Sequence, residues 1–408
     1  METLKFLMVS THFPPEHLGG DAVFVEYLSN ELLKRGHEVH VFHSPATYRL
    51  LRGKQRKNTD RRRPDGLTTH PYASATGRAD PLLALSLGLW GRATSGLLEL
   101  EKKIGPDVVH WHNTRGFIGR PFPFEGKISL YTTHDYTPVC PRSNLLKPDI
   151  SLCDDPRFCT ICCMRWRRPP QLWRTGGRRV LRYDDGLKIL CPSEFMAARL
   201  RSEGVPVHKV MRLFVPDLGG DFRRDQATGD TIVYLGLMEK HKGIETLLDA
   251  FLRTMDQQGF RLHMIGEGTL RSELLKRTGK AGLGGRISIP GFLSRGEVER
   301  IRKDAAAQVI PSIWYENAPS VAAEALSLGL PVIASRIGGL PEMVGPESGS
   351  VTFEPGDSAE LGDLLVSLWS DRGGMGERRR KARAAYEKRF APHIHLEEYL
   401  KTIGELSV

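Results

Sequence analysis

Long apolar runs are missing from this 408-residue chain. No stretch approaches the roughly 18 apolar residues that a membrane-spanning helix requires, so a helical span is not expected. The opening METLKFLMVSTHFPPEHLGG holds an apolar run too short for a secretory leader and passes directly into strand-and-turn residues. A cytoplasmic setting is therefore expected. Cysteine is scarce, six in all, and disulfides are disfavoured in a reducing cytosol. No Asp-x-Asp metal motif stands at a suitable strand end; Asp184 and Asp185 are adjacent and flanked by basic residues. No nucleophile–base pair stands out. Aromatic platforms and nucleic-acid recognition modules are also lacking, which argues against a nucleic-acid-binding protein.

What is present is ordinary globular material. Apolar residues make up 40% and charged residues 26%, so two packed cores are expected at this length. The net charge of +10 is uneven: residues 1–225 carry 35 Lys and Arg against 24 Asp and Glu, while the rest is nearly balanced. Two runs are denser still, RLLRGKQRKNTDRRR (49–63) and RWRRPPQLWRTGGRRVLR (165–182). Such runs suit a polyanion or an anionic membrane surface, and equally a solvated loop. In the second run, Trp166 and Trp173 among arginines favour a membrane interface. A peripheral contact with the cytoplasmic face of the inner membrane is the reading these runs add.

LKFLMVS (4–10) is a short apolar run, as in a strand buried on both faces. A loop with Pro14, Pro15, Gly19 and Gly20 follows, then DAVFVEYLSNELLKRG (21–36), with Val25, Leu28, Leu32 and Leu33 at helical spacing. HEVHVFH (37–43) completes a βαβ unit with a Gly-rich first turn. DPLLALSLGLWGRATSGLLELEKKIG (80–105), with an Asp N-cap and Pro at the first helical position, predicts one helix. Residues 219–230 read as a linker, after which strands and helices alternate again as far as AELGDLLVSLWSD. The expected fold class is α/β, two doubly wound Rossmann-like domains in tandem, with ligand beyond the carboxyl ends of the strands and between the domains. Their bounds are placed at 1–218 and 219–391, with a Cys-rich insert at about 140–170. A C-terminal helix at about 392–408 is expected to pack back onto the first domain.

The stretch IWYENAPSVAAEALSLGLPVIASR (313–336) holds Glu316 and Glu324 with Pro319 between them. Proline is comfortable in the first turn of a helix and disfavours helix before it. A helix is thus predicted from Pro319 to about Leu328, with Gly329 as its stop. Glu316 then sits in a loop and Glu324 about 7.5 Å up the helix axis. Between them lie the amides of Ser320 and Val321, at a helix N-terminus that attracts anions. Lys242, opening a helix after the strand TIVYLGLM, could reach the same anion as a point charge. By spacing alone, the two glutamates also fit a loop charge and an exposed helix charge.

Taken in order, Pro14-Pro15 to Gly19-Gly20, RGHEV (35–39), PDVVHWHN (106–113), THD (133–135), CPSEF (191–195), Lys242-Gly243, IGEG (265–268), PGFLS (290–294), the two glutamates and EALSLGLPVIASRIGGLPEMV (324–344) resemble retaining glycosyltransferase family 4, group 1. IGEG or a Gly pair alone would mean little; order and spacing carry the resemblance. It implies the GT-B type, two Rossmann-like domains facing across a cleft. It also implies a hexosyltransferase using a nucleotide-diphosphate sugar, with no metal required for catalysis. His134, Glu316 and Lys242 become the catalytic candidates. Glu316 would bond the sugar hydroxyls, with Asn317 beside it, and Glu324 the ribose. Lys242 with the amides of Ser320 and Val321 would hold the diphosphate. Gly291, Phe292 and Leu293 would meet the base, and Gly19 and Gly20 would admit close backbone approach. His134 would line the reaction centre, His110 would pack in the core, and His112 and Asn113 would reach the cleft edge.

Two departures stand out. Leu237 occupies the place of the family's usual Arg, five positions before the Lys, and Pro319 that of its frequent Gly. The acceptor is expected to be lipid-linked or a polysaccharide precursor. A small soluble acceptor is the alternative, and Leu237 keeps open a non-catalytic sugar-nucleotide binder. Finally, Cys140, Cys153, Cys159 and Cys162 suggest a structural zinc site of four thiolates; an iron–sulfur cluster and plain thiols remain alternatives.

Overall fold

The computed structural model describes residues 2–407 apart from 18, 53–65, 75, 78, 89–90, 154–158, 175–179, 221–228 and 281–284. Most of the first basic run and of the expected linker lies outside the described residues. The chain divides into two units, residues 1–213 with 395–408, and residues 214–394.

The first unit contains β1 (Lys5–Ser10), α1 (Gly20–Lys34), β2 (Glu38–His43), α2 (Pro45–Arg52), β3 (Leu67–Pro71), α3 (Ala79–Leu87), α4 (Gly91–Ile104), β4 (Val108–Trp111), β5 (Ile128–Thr132), α5 (Cys159–Arg165), β6 (Leu187–Cys191), α6 (Glu194–Ser202) and β7 (Val207–Val210). Its seven strands run in the order β3-β2-β1-β4-β5-β6-β7, every pairing parallel. Phe6, Leu7, Met8 and Val9 in β1 and Val108, Val109 and Trp111 in β4 are all fully buried. A sheet covered on both faces demands such unbroken apolar strands. The strand order reverses between β1 and β4, the place where ligands of doubly wound sheets bind.

The second unit contains β8 (Thr231–Leu235), α7 (Ile244–Thr254), β9 (Arg261–Ile265), α8 (Arg271–Lys280), β10 (Ile287–Gly291), α9 (Arg295–Lys303), β11 (Ala307–Ile310), α10 (Ser320–Ser327), β12 (Val332–Ser335), α11 (Leu340–Met343), β13 (Val351–Phe353), α12 (Ser358–Ser370) and α13 (Met375–Arg389). Its strand order is β10-β9-β8-β11-β12-β13, again parallel, with the reversal between β8 and β11. One core cluster joins α7, α12 and one sheet face; the other joins α10, α13 and the β11–β12 side.

The last helix, α14 (Pro392–Leu406), carries Tyr399 and His395 into the first unit. Tyr399 stacks on Phe6 and on His110. His395 Nδ1 lies 2.7 Å from the carbonyl oxygen of Arg212, so Nδ1 carries the proton.

The single helix predicted over 80–105 is instead two, α3 and α4. Gly88 between them has φ +70°, a left-handed conformation that no α-helix contains. Pro319 is extended, with φ −66° and ψ 120°, and so serves as the N-cap of α10; its missing N–H lies outside the helix.

Candidate active site

In the second unit, the loops after β8 and β11 bring Lys242 and Glu316 together. Lys242 Nζ lies 2.7 Å from Glu316 Oε1, and Ser312 Oγ donates to the same oxygen at 2.6 Å. Glu316 is buried, 6% exposed. Burial alone would raise its pKa, but the Lys242 ammonium and the hydrogen bonds from Lys242 and Ser312 hold it below the ordinary carboxylate value. Lys242 also lies over the Trp314 ring at 4.7 Å. Backbone turns lock this geometry. Gly243 has φ +65°, and a Cβ there would stand 1.8 Å from the Pro311 oxygen, so the two loops touch only because residue 243 has no side chain. At Gly338, φ +62°, a Cβ would meet the Glu316 carbonyl at 2.3 Å, and Gly339 N donates to that carbonyl at 2.7 Å.

The start of α10 follows directly. Its N-cap has no side-chain hydrogen bond, so nothing of the cap covers the amides of Ser320 and Val321. Glu324, one turn further, is held by Arg302 of α9: Nη1 donates to Glu324 Oε2 at 2.9 Å and Nη2 to the Val321 carbonyl at 2.9 Å. The Arg302 side chain is only 1% exposed. At the end of β10, Gly291 has φ +83°, Phe292 is 54% exposed, and Leu293 packs on the core. The sequence-predicted residues of this unit thus all lie at the carboxyl edge of one sheet. Arg302, Ser312 and Trp314 were not foreseen; an arginine in a charged helix and a serine before a tryptophan carry no sequence signal.

In the first unit, Gly19 caps α1 and Gly20 opens it. Both are exposed. The extended backbone of Gly19, φ −154°, is open to any residue, and a Cβ there would meet only Asp21 Oδ1, at 3.2 Å. Asn113 Nδ2 donates to Asp21 Oδ2 at 3.2 Å and to Asp135 Oδ2 at 3.5 Å. His134 Nε2 lies 3.0 Å from His112 Nδ1. Burial pushes the His134 pKa down to about 4 against an opposing pull from Asp21. His110 packs in the core as expected, between Thr132 Oγ1 and Tyr399 Oη, each at 2.8 Å. His112 does not reach an edge: it is fully buried, its ring packed against those of His110 and His134.

Two family descriptions match this chain. "Glycosyltransferase Family 4" matches residues 18–213, and "Glycosyl transferases group 1" matches residues 223–389. The chain belongs to glycosyltransferase family 4. Among its relatives is a glycogen synthase of Mycobacterium tuberculosis, 27% identical over 406 residues, covering 93% of this chain and 89% of that one. Similar solved structures include sucrose-phosphate synthase of Thermosynechococcus elongatus, with TM-score 0.67, 18% identity and 99% of each chain covered. Another is Alr3699/HepE of Anabaena in complex with UDP, with TM-score 0.64, 15% identity, and 98% of this chain and 100% of that one covered. These likenesses give the fold as GT-B.

As a family 4 member, the protein is a retaining glycosyltransferase that takes its sugar from a nucleotide sugar. Family 4 enzymes generally need no metal. Among the described residues, no three or more His, Cys, Asp or Glu side chains are placed to hold a metal ion, and the structural zinc expected at Cys140, Cys153, Cys159 and Cys162 finds no support. Cys162 Sγ instead donates to the Leu146 carbonyl at 3.8 Å, and burial pushes this thiol up to about 11.

The tryptophans of the second basic run make contacts within the first unit. Arg142 lies 3.7 Å from the centre of the Trp166 ring, and Trp173 Nε1 donates to the Leu85 carbonyl at 3.1 Å. Arg174 is buried and donates to the Thr137 carbonyl at 2.9 Å. Trp173 thus ties its segment to α3, and Trp166 packs against an arginine of the insert. The exposed apolar side chains nearby are others: Leu82, Leu83 and Leu87 of α3, Ile161 and Met164 of α5, and Leu172. Arg165, Arg167 and Arg168 beside them are exposed as well.

Proposed function

We propose that this transferase moves a hexosyl unit from a nucleoside-diphosphate sugar to a lipid-linked or polysaccharide-precursor acceptor on the cytoplasmic face of the inner membrane. The observation that carries the donor half is the Lys242–Glu316 pair beside the uncapped start of α10. Glu316, kept ionised, accepts hydrogen bonds from the sugar hydroxyls, with Asn317 at hand. Lys242 and the amides of Ser320 and Val321 bind the diphosphate. Glu324 binds the ribose, and Gly291, Phe292 and Leu293 border the base. Gly19 and Gly20 leave room for the diphosphate or the acceptor. The UDP held by the Anabaena relative and the glycogen synthase activity of the mycobacterial one agree in chemical class.

In this reading the bond from the anomeric carbon to the diphosphate breaks as the acceptor oxygen attacks from the same face. The acceptor proton passes to a departing phosphate oxygen. Neither glutamate forms a covalent intermediate; the protein positions the reactants and stabilises charge. The membrane half is supported by the exposed leucines of α3 with Leu172, by Arg165, Arg167 and Arg168, and by the basic excess of residues 1–225.

Thermal unfolding with UDP-, GDP- and ADP-sugars tests the donor, since a ligand of the native state raises its midpoint. A Glu316→Ala variant with undiminished turnover would sink the assigned site. Flotation with anionic vesicles tests the membrane; no salt-sensitive binding points to a soluble acceptor.

A further inference from the structure

His112 Nδ1 and His134 Nε2 are 3.0 Å apart, a separation that one proton must bridge. Burial keeps both rings below the ordinary imidazole pKa, so each is neutral near pH 7 and carries one ring proton. Either His112 Nδ1–H donates to His134 Nε2, or His134 Nε2–H donates to His112 Nδ1. The second nitrogen of His112 separates these cases. His112 Nε2 is buried and has no hydrogen-bond partner among the described residues. If His134 were the donor, His112 would carry its proton on that Nε2, as a buried N–H with nothing to receive it. Orphaned buried N–H groups are rarer than under-satisfied acceptors.

The neighbouring rings do not alter this choice. His110 is 4.2 Å away, centre to centre, but both its nitrogens are engaged by the hydroxyls of Thr132 and Tyr399. Phe24 presents its ring to His112 and His134 and offers no polar atom. His395 spends its Nδ1 proton on the Arg212 carbonyl.

We propose that His112 is a positioning residue of this site: its Nδ1–H donates to His134 Nε2 and thereby places the His134 proton on Nδ1. His134 is then a hydrogen-bond donor at Nδ1 and has no free basic nitrogen. The functional consequence rests on the reading that His134 borders the donor sugar. A neutral N–H suits a sugar oxygen, and a ring with no free lone pair cannot take the acceptor's proton. That proton is left to the departing diphosphate. The tautomer itself depends on no functional assignment.

The test uses the full chain with ¹⁵N-labelled histidine and long-range ¹H–¹⁵N correlation near neutral pH, His134 being assigned by loss of its signals in His134→Ala. The expected result is a proton on Nδ1 of both His112 and His134. A proton on His134 Nε2, or an imidazolium, overturns the proposal, and the unmodified protein suffices to decide. Two variants extend the test. His112→Phe removes the donor, should mix the His134 tautomers, and should lower kcat about tenfold, the worth of one neutral hydrogen bond. His112→Asn keeps an N–H close to the place of Nδ1 and should restore both tautomer and kcat; failure to restore either counts against the proposal. If His134→Ala turns over undiminished while the tautomer is as stated, the sugar-side reading fails and the His112 assignment stands.

Discussion

Arg302 and Glu324 form an ion pair with Nη1 2.9 Å from Oε2, in which the arginine is 1% exposed and the glutamate 21%. The arginine side chain lies inside the unit, and the carboxylate is its charged partner. A buried arginine without a counter-charge is costly. Glu324→Ala should therefore destabilise the protein by about 2–4 kcal/mol, discounted for the partial exposure of the pair. Glu324→Gln keeps an oxygen for Nη1 but removes the counter-charge, so its stability should fall between those of the parent and Glu324→Ala. Both variants should raise the KM for donor. Thermal unfolding alongside donor kinetics separates the structural effect from the ligand effect; equal stability of the two variants would show that the pair does not hold Glu324.

The companion pair behaves differently because its carboxylate is the more buried member. Lys242 and Ser312 oppose the burial that would otherwise raise the Glu316 pKa. In Lys242→Met that opposition is largely gone, so Glu316 should titrate at a higher pH than in the parent. With the diphosphate also short of its cation, kcat should fall by about 10²–10³. The acid limb of the pH–rate profile should move upward. A variant with an unmoved profile and near-parental kcat would exclude Lys242 from the site.

Buried histidines predict how the first unit responds to acid. His134 and His395 fall to about 4 from an ordinary 6.5, and burial lowers His110 and His112 well below it as well. Unfolded histidines take up protons below about pH 6.5 while these buried ones stay neutral, so the unfolded state binds more protons between about pH 6.5 and 4. The histidine contribution to stability is thus complete above about pH 6.5 and declines toward pH 4. Urea midpoints measured across that range should fall with pH, and less steeply in His395→Phe. A flat profile would mean that these rings ionise in the folded protein.

These residues also mark what the sequence could and could not announce. The apolar runs of β1 and β4, and Pro319 with Gly329 bounding α10, were readable because each is set by neighbours in the chain. The Glu316 and Lys242 loops were readable because both follow recognisable strands. Arg302 was not: its partner lies on the next helix, and only packing decides that this arginine of RGEVERIRK is the buried one. Tyr399 reaches His110 across 289 positions, a pairing no local pattern encodes. Spacing alone could not reveal how the cysteine side chains are arranged.

The remaining prediction concerns Leu237. This side chain is 47% exposed on the turn after β8, and Tyr234 Oη donates to its carbonyl at 2.6 Å, so the backbone there is fixed independently of the side chain. Arginine at this position should fold normally, since an exposed substitution on a backbone-tethered turn changes stability by no more than about 0.5 kcal/mol. It would add a second cation near Lys242, whose ammonium is already committed to Glu316. A charge-assisted bond to phosphate contributes about 1.5–3 kcal/mol, so Leu237→Arg should raise kcat/KM for donor by about tenfold or more. Lys240→Ala in the same background separates two sources of the missing charge. If Lys240 already supplies it, Leu237→Arg gains little alone and rescues the Lys240→Ala loss. If Leu237→Arg instead abolishes turnover, the exposed leucine lies where substrate must pass, and its apolar surface belongs to the substrate path.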